Sequence, residues 1–374
     1  MIYFDNSATS GIKPQTVITN LINIIKSPSF NVGRGNFKEQ ILAEENIFLC
    51  RELLSKHVNN GLIGKLLFTS GCTESLNFLI LGTPILGTNI VTSVTEHNSV
   101  LRPLYNLKKR YNIELRFAQI SDLKVSKNNV LNLVDEKTCF VILNAVSNVT
   151  GVKNEFEDIG RSLGNIPFFV DGAQAGGHLN IDMTKSNISG LAFSGHKGFF
   201  SLPGVGVLAL KKDFELNATF FGGTGTESFN EFITAYPEKF EVGTQNYPSI
   251  MSLYHGAKWA ISNLNEHNIY IKSLVNRLIG GLLTISTVKV FSRENIFGIV
   301  SFSANNVDSQ RLQWVLGSKF NIVTRGGYHC APLMHKALNT QENGLLRVSL
   351  SPFNTQSEVD YFLDILPDAI KLSK

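Results

Sequence analysis

The stretch "SGLAFSGHKGF", Ser189 to Phe199, decides how this chain folds. A short apolar run breaks directly into Ser194, Gly195, His196, Lys197 and Gly198. A run of that length bounded by glycines reads as a buried strand. A hydroxyl, an imidazole and an amine at its carboxyl end read as chemistry placed where open α/β sheets bind their ligands.

The same texture recurs on both sides. "KLLFTS" (65–70), "NIVTSVT" (89–95), "CFVILNAVS" (139–147), "IPFFVD" (166–171), "GLAFSG" (190–195) and "GVGVLAL" (204–210) all read as strands. Most lack polar alternation, as expected of a sheet covered on both faces. "ESLNFLILG" (74–82) and "EFEDIGRSLG" (155–164) lie between them and read as helices. Strand–helix alternation implies an α/β fold with a largely parallel sheet. Beyond residue 250 a single long helix is expected over 250–283. It leads into "VKVFS", "FGIVSFSA", an amphipathic helix near 308–318 and "LLRVSLSPF". The expected organisation is a large domain over 16–250 and a smaller α+β domain formed by 251–374 with the N-terminal segment 1–15.

Composition narrows the function. Of 374 residues, 43% are hydrophobic and 17% charged, enough apolar material for a sizeable core. The net charge of +4 is spread without a basic, aromatic-interleaved run, which speaks against nucleic acid. Four cysteines without a CxxC pair suit a reducing compartment. "MIYFDNSATS" has neither a basic n-region nor an apolar h-region, and no stretch approaches the roughly 18 to 20 apolar residues of a membrane span. A soluble cytoplasmic protein without a metal site is expected.

Five strand ends carry unusual polar residues, and each has an ordinary reading beside a functional one. "FTSGCTES" (68–75) opens a helix at Thr73 and Glu74, either a plain cap or a phosphate site at a helix N-terminus. His97 in "VTEHNS" is a structural histidine or a catalytic one. Asn148 in "AVSNVTG" is a turn residue or a ligand. Asp171 in "FFVDGAQAGGH", with Gln174 three residues on, begins an Asx turn or presents a buried carboxylate that must find a cationic or donor partner. At the fifth end, Lys197 is the residue type whose depressed pKa suits Schiff-base formation. Ser194 and His196 can donate to an anion beside it. If the ends converge, Lys197 with Asp171 is what a protein contributes to pyridoxal phosphate chemistry, an amine for the aldehyde and a carboxylate for the pyridinium nitrogen.

Taken together, "FDNSATS", "FTSGCTES", "EHNS", "SNVTG", "DGAQA", "SGHKG", "EVGTQN", "RGGYHCAP" and "LLRVSL" resemble the class V aminotransferase family of fold-type I pyridoxal phosphate enzymes over nearly the whole length. The resemblance is greatest to the cysteine desulfurase and selenocysteine lyase group. It implies that Lys197 bonds the cofactor and moves the α-proton, that Asp171 keeps the ring nitrogen protonated, and that Gln174 bonds the phenolic oxygen. His97 would lie on the ring face and serve proton transfer. Thr73, Ser194 and His196 would hold the phosphate, with backbone N–H groups near Cys72. Thr244 would reach the phosphate in a neighbouring subunit, which implies a homodimer. Asn148 and Arg347 would bind the substrate carboxylate.

The resemblance also implies that Cys330, in a small-domain loop, attacks the sulfur of L-cysteine, leaving L-alanine and a persulfide destined for an acceptor protein. Cys50 and Cys139 read as core thiols, and no catalysis is assigned to Cys72. The loop departs from the best-known desulfurases of its type in Tyr328, where they carry a second His, and in Pro332 directly after Ala331, where they have an intervening Gln. The same scaffold serves selenocysteine lyases, transaminases and epimerases. A non-catalytic scaffold is the alternative of another class, and the complete set of Lys197, Asp171, His97, Arg347 and Cys330 argues against it.

Overall fold

The computed structural model describes residues 1–27, 32, 37–225 and 227–374. The chain opens with the two-residue strand β1 (Ile2–Tyr3), then helices α1 (Gln15–Lys26) and α2 (Lys38–Val58). Seven strands follow: β2 (Leu66–Thr69), β3 (Asn89–Ser93), β4 (Glu114–Ala118), β5 (Thr138–Asn144), β6 (Phe168–Asp171), β7 (Gly190–Ser194) and β8 (Gly206–Leu210). They form one sheet in the order β2-β8-β7-β6-β5-β3-β4. Only β8 is antiparallel to its neighbours. The carboxyl ends of β2, β3, β5, β6 and β7 therefore share one edge, the five ends singled out above.

Side chains alternate between two separate clusters, which explains the unbroken apolar runs. Val141, Leu143, Phe168 and Val170 belong to one cluster, and Phe140, Ile142 and Phe169 to the other. Helices α3 (Cys72–Gly82), α4 (Asn98–Tyr111), α5 (Lys127–Leu131) and α6 (Phe156–Ser162) connect the strands. Each expected strand of this region is present. Strand β4 was not legible because it is an edge strand: Glu114 is exposed, Arg116 is half-buried, and charges on an edge hide the pattern.

The expected single helix over 250–283 is two helices, α7 (Tyr247–Ser262) and α8 (Leu264–Leu283). The break falls at Asn263, whose backbone leaves helical geometry (φ −111°, ψ 14°) and whose side-chain amide donates to the Trp259 carbonyl (2.8 Å). Local side-chain bonding of this kind competes with the helix ladder. The break separates two environments. Ile250, Met251, Leu253 and Ala257 of α7 join the β6 cluster, whereas Ile271, Leu274 and Leu278 of α8 join a third cluster that contains Phe4.

That cluster is built from β9 (Val288–Val290), β10 (Ile299–Ala304), α9 (Ser309–Phe320), β11 (Ile322–Val323), β12 (Leu346–Ser349) and α11 (Gln356–Ser373), whereas α10 (Pro332–Leu338) packs Met334 with Val149 and Phe291 in a small fourth cluster. β10 pairs antiparallel with β9 and β12, and β1 pairs parallel with β11. The N-terminal segment continues across: Ser349 N–H donates to Phe4 O (2.6 Å), and Ser10 N–H donates to His196 O (2.9 Å). Residues 4–10 thus strap β12 to the turn that carries Lys197. Among the described residues, no helix is long and apolar enough to cross a membrane.

Candidate active site

The sharp turn after β7 aims Lys197 back over the sheet edge. Gly195 N–H bonds Val205 O (3.2 Å) and Phe200 N–H bonds Lys197 O (2.9 Å). Gly198 is required there, since a Cβ would lie 2.0 Å from the Gly176 carbonyl oxygen. A cavity of about 370 Å³ opens at this edge. Lys197, Asp171, Gln174, His97 and Asn148 line it, as do Cys72, Thr73, Ser194 and His196.

Burial lowers the pKa of Lys197, while Cys72 and Asp171 pull the other way. The amine carries no hydrogen bond to any described residue, so it is available to a ligand. Asp171 is 5% exposed. Its Oδ1 accepts the Ala173 N–H (2.9 Å) and the Cys72 thiol (3.6 Å), and its Oδ2 has no partner among the described residues. Gln174 Nε2 donates to Ser7 O on the N-terminal strap (3.1 Å). His97 is the N-cap of α4: Nδ1 accepts the Ser99 N–H (3.1 Å), so in the neutral ring Nε2 bears the hydrogen. Burial keeps that ring below its ordinary pKa, with Asp171 opposing. The His196 ring is pushed down to about 4, mainly by burial and further by the Lys197 and Lys13 charges.

Two expected residues sit next to the cavity. Arg347 on β12 is 2% exposed, donating from NH1 to Asn148 O (2.9 Å) and from NH2 to Asp5 Oδ1 (3.0 Å), while its Nε has no partner. Cys330 is exposed and lines an adjoining groove of about 470 Å³ with Arg102; Thr73, His97 and Ser99 line both spaces. Its loop is clamped twice: Asn98 N–H donates to Cys330 O (2.7 Å) and Asn148 Nδ2 donates to His329 O (2.7 Å). His329 (φ +49°) and Cys330 (φ +57°) are consecutive left-handed residues, a costly backbone that tends to occur at functional sites. Thr244 stands apart, in a cavity of about 270 Å³ that shares Ser70 and Glu74 with the first.

Sequence reading assigned no role to Asp5 or Glu96, though both lie in quoted motifs. Asp5 bridges two arginines, Arg347 and Arg325 (Nε to Oδ2, 3.1 Å). A carboxylate directly after the buried Phe4 was the available signal. Glu96 is 0% exposed; Oε1 accepts Ser93 Oγ (2.5 Å) and Asn144 N–H (3.1 Å), and Oε2 has no partner. Burial, with Asp171 adding, raises its pKa from 4.5 to about 8 against those two hydrogen bonds. The folded chain therefore keeps a proton that the unfolded chain loses, and folding is increasingly opposed as pH climbs from 4.5 to about 8. Glu96→Gln mimics the neutral acid and escapes this cost. Its stability should match the wild type near pH 4.5 and exceed it progressively toward pH 8, by up to about 1.4 kcal/mol per pH unit in denaturant titrations. A pH-independent difference would contradict the buried neutral acid.

Residues 2–362 match the family model described as aminotransferase class-V, and the chain belongs to that family, whose members are pyridoxal phosphate enzymes of fold type I. A probable cysteine desulfurase of Borreliella burgdorferi is 31% identical over 395 residues, spanning 99% of this chain and 92% of its own. A probable cysteine desulfurase of Pyrococcus abyssi is 32% identical over 393 residues, spanning 99% and 94%. The apo structure of a cysteine desulfurase from Thermococcus onnurineus NA1 superposes with a TM-score of 0.91 at 28% identity, covering 99% and 94% of the two chains.

The residues present fit such a cofactor. His196 Nδ1, Asn148 Oδ1 and Arg347 Nε are buried without partners, as expected of groups waiting for a polar ligand. The N-terminus of α3 begins at Gly71 with no side-chain cap, leaving the Cys72 and Thr73 N–H groups for an anion. A free amine and a free carboxylate oxygen complete a donor set for an aldehyde, a phosphate and a protonated ring nitrogen.

Proposed function

We propose that this chain is a pyridoxal phosphate-dependent cysteine desulfurase, converting L-cysteine to L-alanine and taking the sulfur as a persulfide on Cys330. The observation that carries this reading is the meeting of Lys197 and Asp171 in one cavity, with an exposed Cys330 in the groove beside it. When bound, the cofactor supplies an electron sink for the substrate's Cα.

The chain's own residues do the rest. Lys197 would hold the aldehyde carbon and, as a base of depressed pKa, take the proton from Cα. Asp171 Oδ2 would keep the ring nitrogen protonated, and Gln174 would orient the phenolic oxygen. His97 would cover the ring face and offer Nε2–H for proton transfer. Thr73, Ser194, His196 and the Cys72 N–H would hold the phosphate. Asn148 and Arg347 would fix the substrate carboxylate, with Asp5 holding the guanidinium in place. Cys330 as thiolate would bond the substrate sulfur, the C–S pair staying with the carbon that becomes the alanine methyl.

The proposal includes a homodimer in which Thr244 serves the neighbouring subunit's phosphate, a sulfur-acceptor protein, and a cytoplasmic setting. With it goes the division of the chain into 16–250 and 1–15 with 251–374. The pairing of β1 with β11 supports the N-terminal assignment. The test is to load the purified chain with pyridoxal phosphate, add L-cysteine, and measure alanine, keto acid and persulfide on Cys330. Alanine with persulfide is expected; keto acid without persulfide would make it a transaminase.

Arg347→Lys offers a finer check. A lysine has one nitrogen for the positions that NH1, NH2 and Nε now occupy. The KM for L-cysteine should rise about 10- to 100-fold, with a smaller change in kcat. An unchanged KM in steady-state kinetics would remove Arg347 from carboxylate binding.

A further inference from the structure

Cys72 is a half-buried thiol inside the cavity, with no role in the reaction derived above. It begins α3, on the side of the cavity that faces Asp171, and its Sγ lies 3.6 Å from Asp171 Oδ1. The same oxygen accepts the Ala173 N–H at 2.9 Å. The two oxygens of this carboxylate are thereby made unequal. Oδ1 carries two donors from two different elements, and Oδ2 carries none, although the side chain is 95% buried (5% exposed) and lines the cavity.

We propose that Cys72 is a positioning residue: its thiol donates to Asp171 Oδ1 and, with the Ala173 N–H, fixes the carboxylate plane so that Oδ2 is the oxygen presented to a protonated ring nitrogen. A donor on Oδ1 also withdraws charge from Oδ2, so the thiol tempers how strongly Asp171 holds the ring proton. Burial, with the Asp171 charge adding, raises the Cys72 thiol well above its ordinary pKa, which keeps it a donor and keeps it out of competition with Cys330 as a nucleophile. Serine can replace such a donor; alanine cannot.

This inference rests on the cofactor reading, and the experiment separates the two. The first measurement needs no cofactor: the infrared S–H band of the chain, isolated as the difference between wild type and Cys72→Ser, should lie below that of an unbonded thiol and should move up in Asp171→Asn. A band at the unbonded position would overturn the contact. The second uses the loaded enzyme. Cys72→Ala should weaken pyridoxal phosphate binding about fivefold and shift the pH midpoint of the cofactor's visible band, whereas Cys72→Ser should restore both to within about twofold of wild type. Equal effects of alanine and serine, or no effect of either, would overturn the donor role. A wild type that takes up no pyridoxal phosphate on Lys197 would instead sink the cofactor reading, leaving the infrared result to decide the thiol–carboxylate bond.

Discussion

Lys197→Ala should carry no pyridoxal phosphate adduct. After incubation with the cofactor and borohydride reduction, the wild-type peptide containing Lys197 should gain the mass of the reduced adduct, and the variant should show none at any lysine. The physical ground is that, among the described residues, this amine alone combines the needed properties. It lines the cavity, holds no hydrogen bond to a described residue, and is pulled below its ordinary pKa by burial, with the Arg347 and Arg325 charges acting in the same direction.

Lys13, three residues past the strap, is also lowered, to about 8, but its Nζ is bonded to Ser10 O (2.9 Å) and Ser10 Oγ (2.5 Å). Lys197→Arg should fail in the same way, because a guanidinium stays protonated and cannot attack an aldehyde. Loss of the Cα base should lower alanine formation by at least about 10²- to 10⁴-fold. Normal adduct formation in Lys197→Ala would refute the placement of the chemistry at this turn.

The legibility of this fold follows from where each residue's partners lie. The strands of the main sheet read correctly because β5, β6 and β7 are buried on both faces, so their central positions are apolar and the run itself is the signal. The polar residues that end those strands meet at one cavity, because parallel strands bring their carboxyl ends together without any further information. Sequence reading failed where tertiary context decided the outcome. β4 looks polar because one of its sides has no strand neighbour. The helical pattern over 250–283 hides the change at Asn263 from one hydrophobic cluster to another, since both halves are amphipathic. Asp5 and Arg347 are 342 residues apart, and only the passage of residues 4–10 between β12 and the Lys197 turn makes them a pair. Their motifs could be read separately, but the contact could not.

Cys330→Ala should leave the cofactor bound and abolish sulfur transfer. The two effects separate because Cys330 lines the outer groove and not the cavity that holds Lys197 and Asp171. Stability should change by less than about 0.5 kcal/mol, since the side chain is exposed and alanine meets the same left-handed backbone as cysteine does. Of the four thiols, Cys330 is the exposed one; burial pushes Cys50, Cys72 and Cys139 up, away from the thiolate form.

In the wild type, about one equivalent of L-cysteine per chain, with no other thiol present, should give about one alanine per chain, matched by one sulfur atom on the Cys330 peptide in mass spectra. The balance is closed: cysteine plus the Cys330 thiol gives alanine plus the Cys330 persulfide, the substrate carbon being reduced as the sulfur is oxidised. The variant should show neither this alanine nor added sulfur, while its cofactor absorbance still responds to L-cysteine, because the groups proposed to bind the amino acid are intact. Adding a small thiol with excess L-cysteine should start repeated turnover in the wild type and not in the variant. An undiminished alanine yield from Cys330→Ala would mean that the sulfur leaves by another route, and the strained, doubly clamped loop would then need a different explanation.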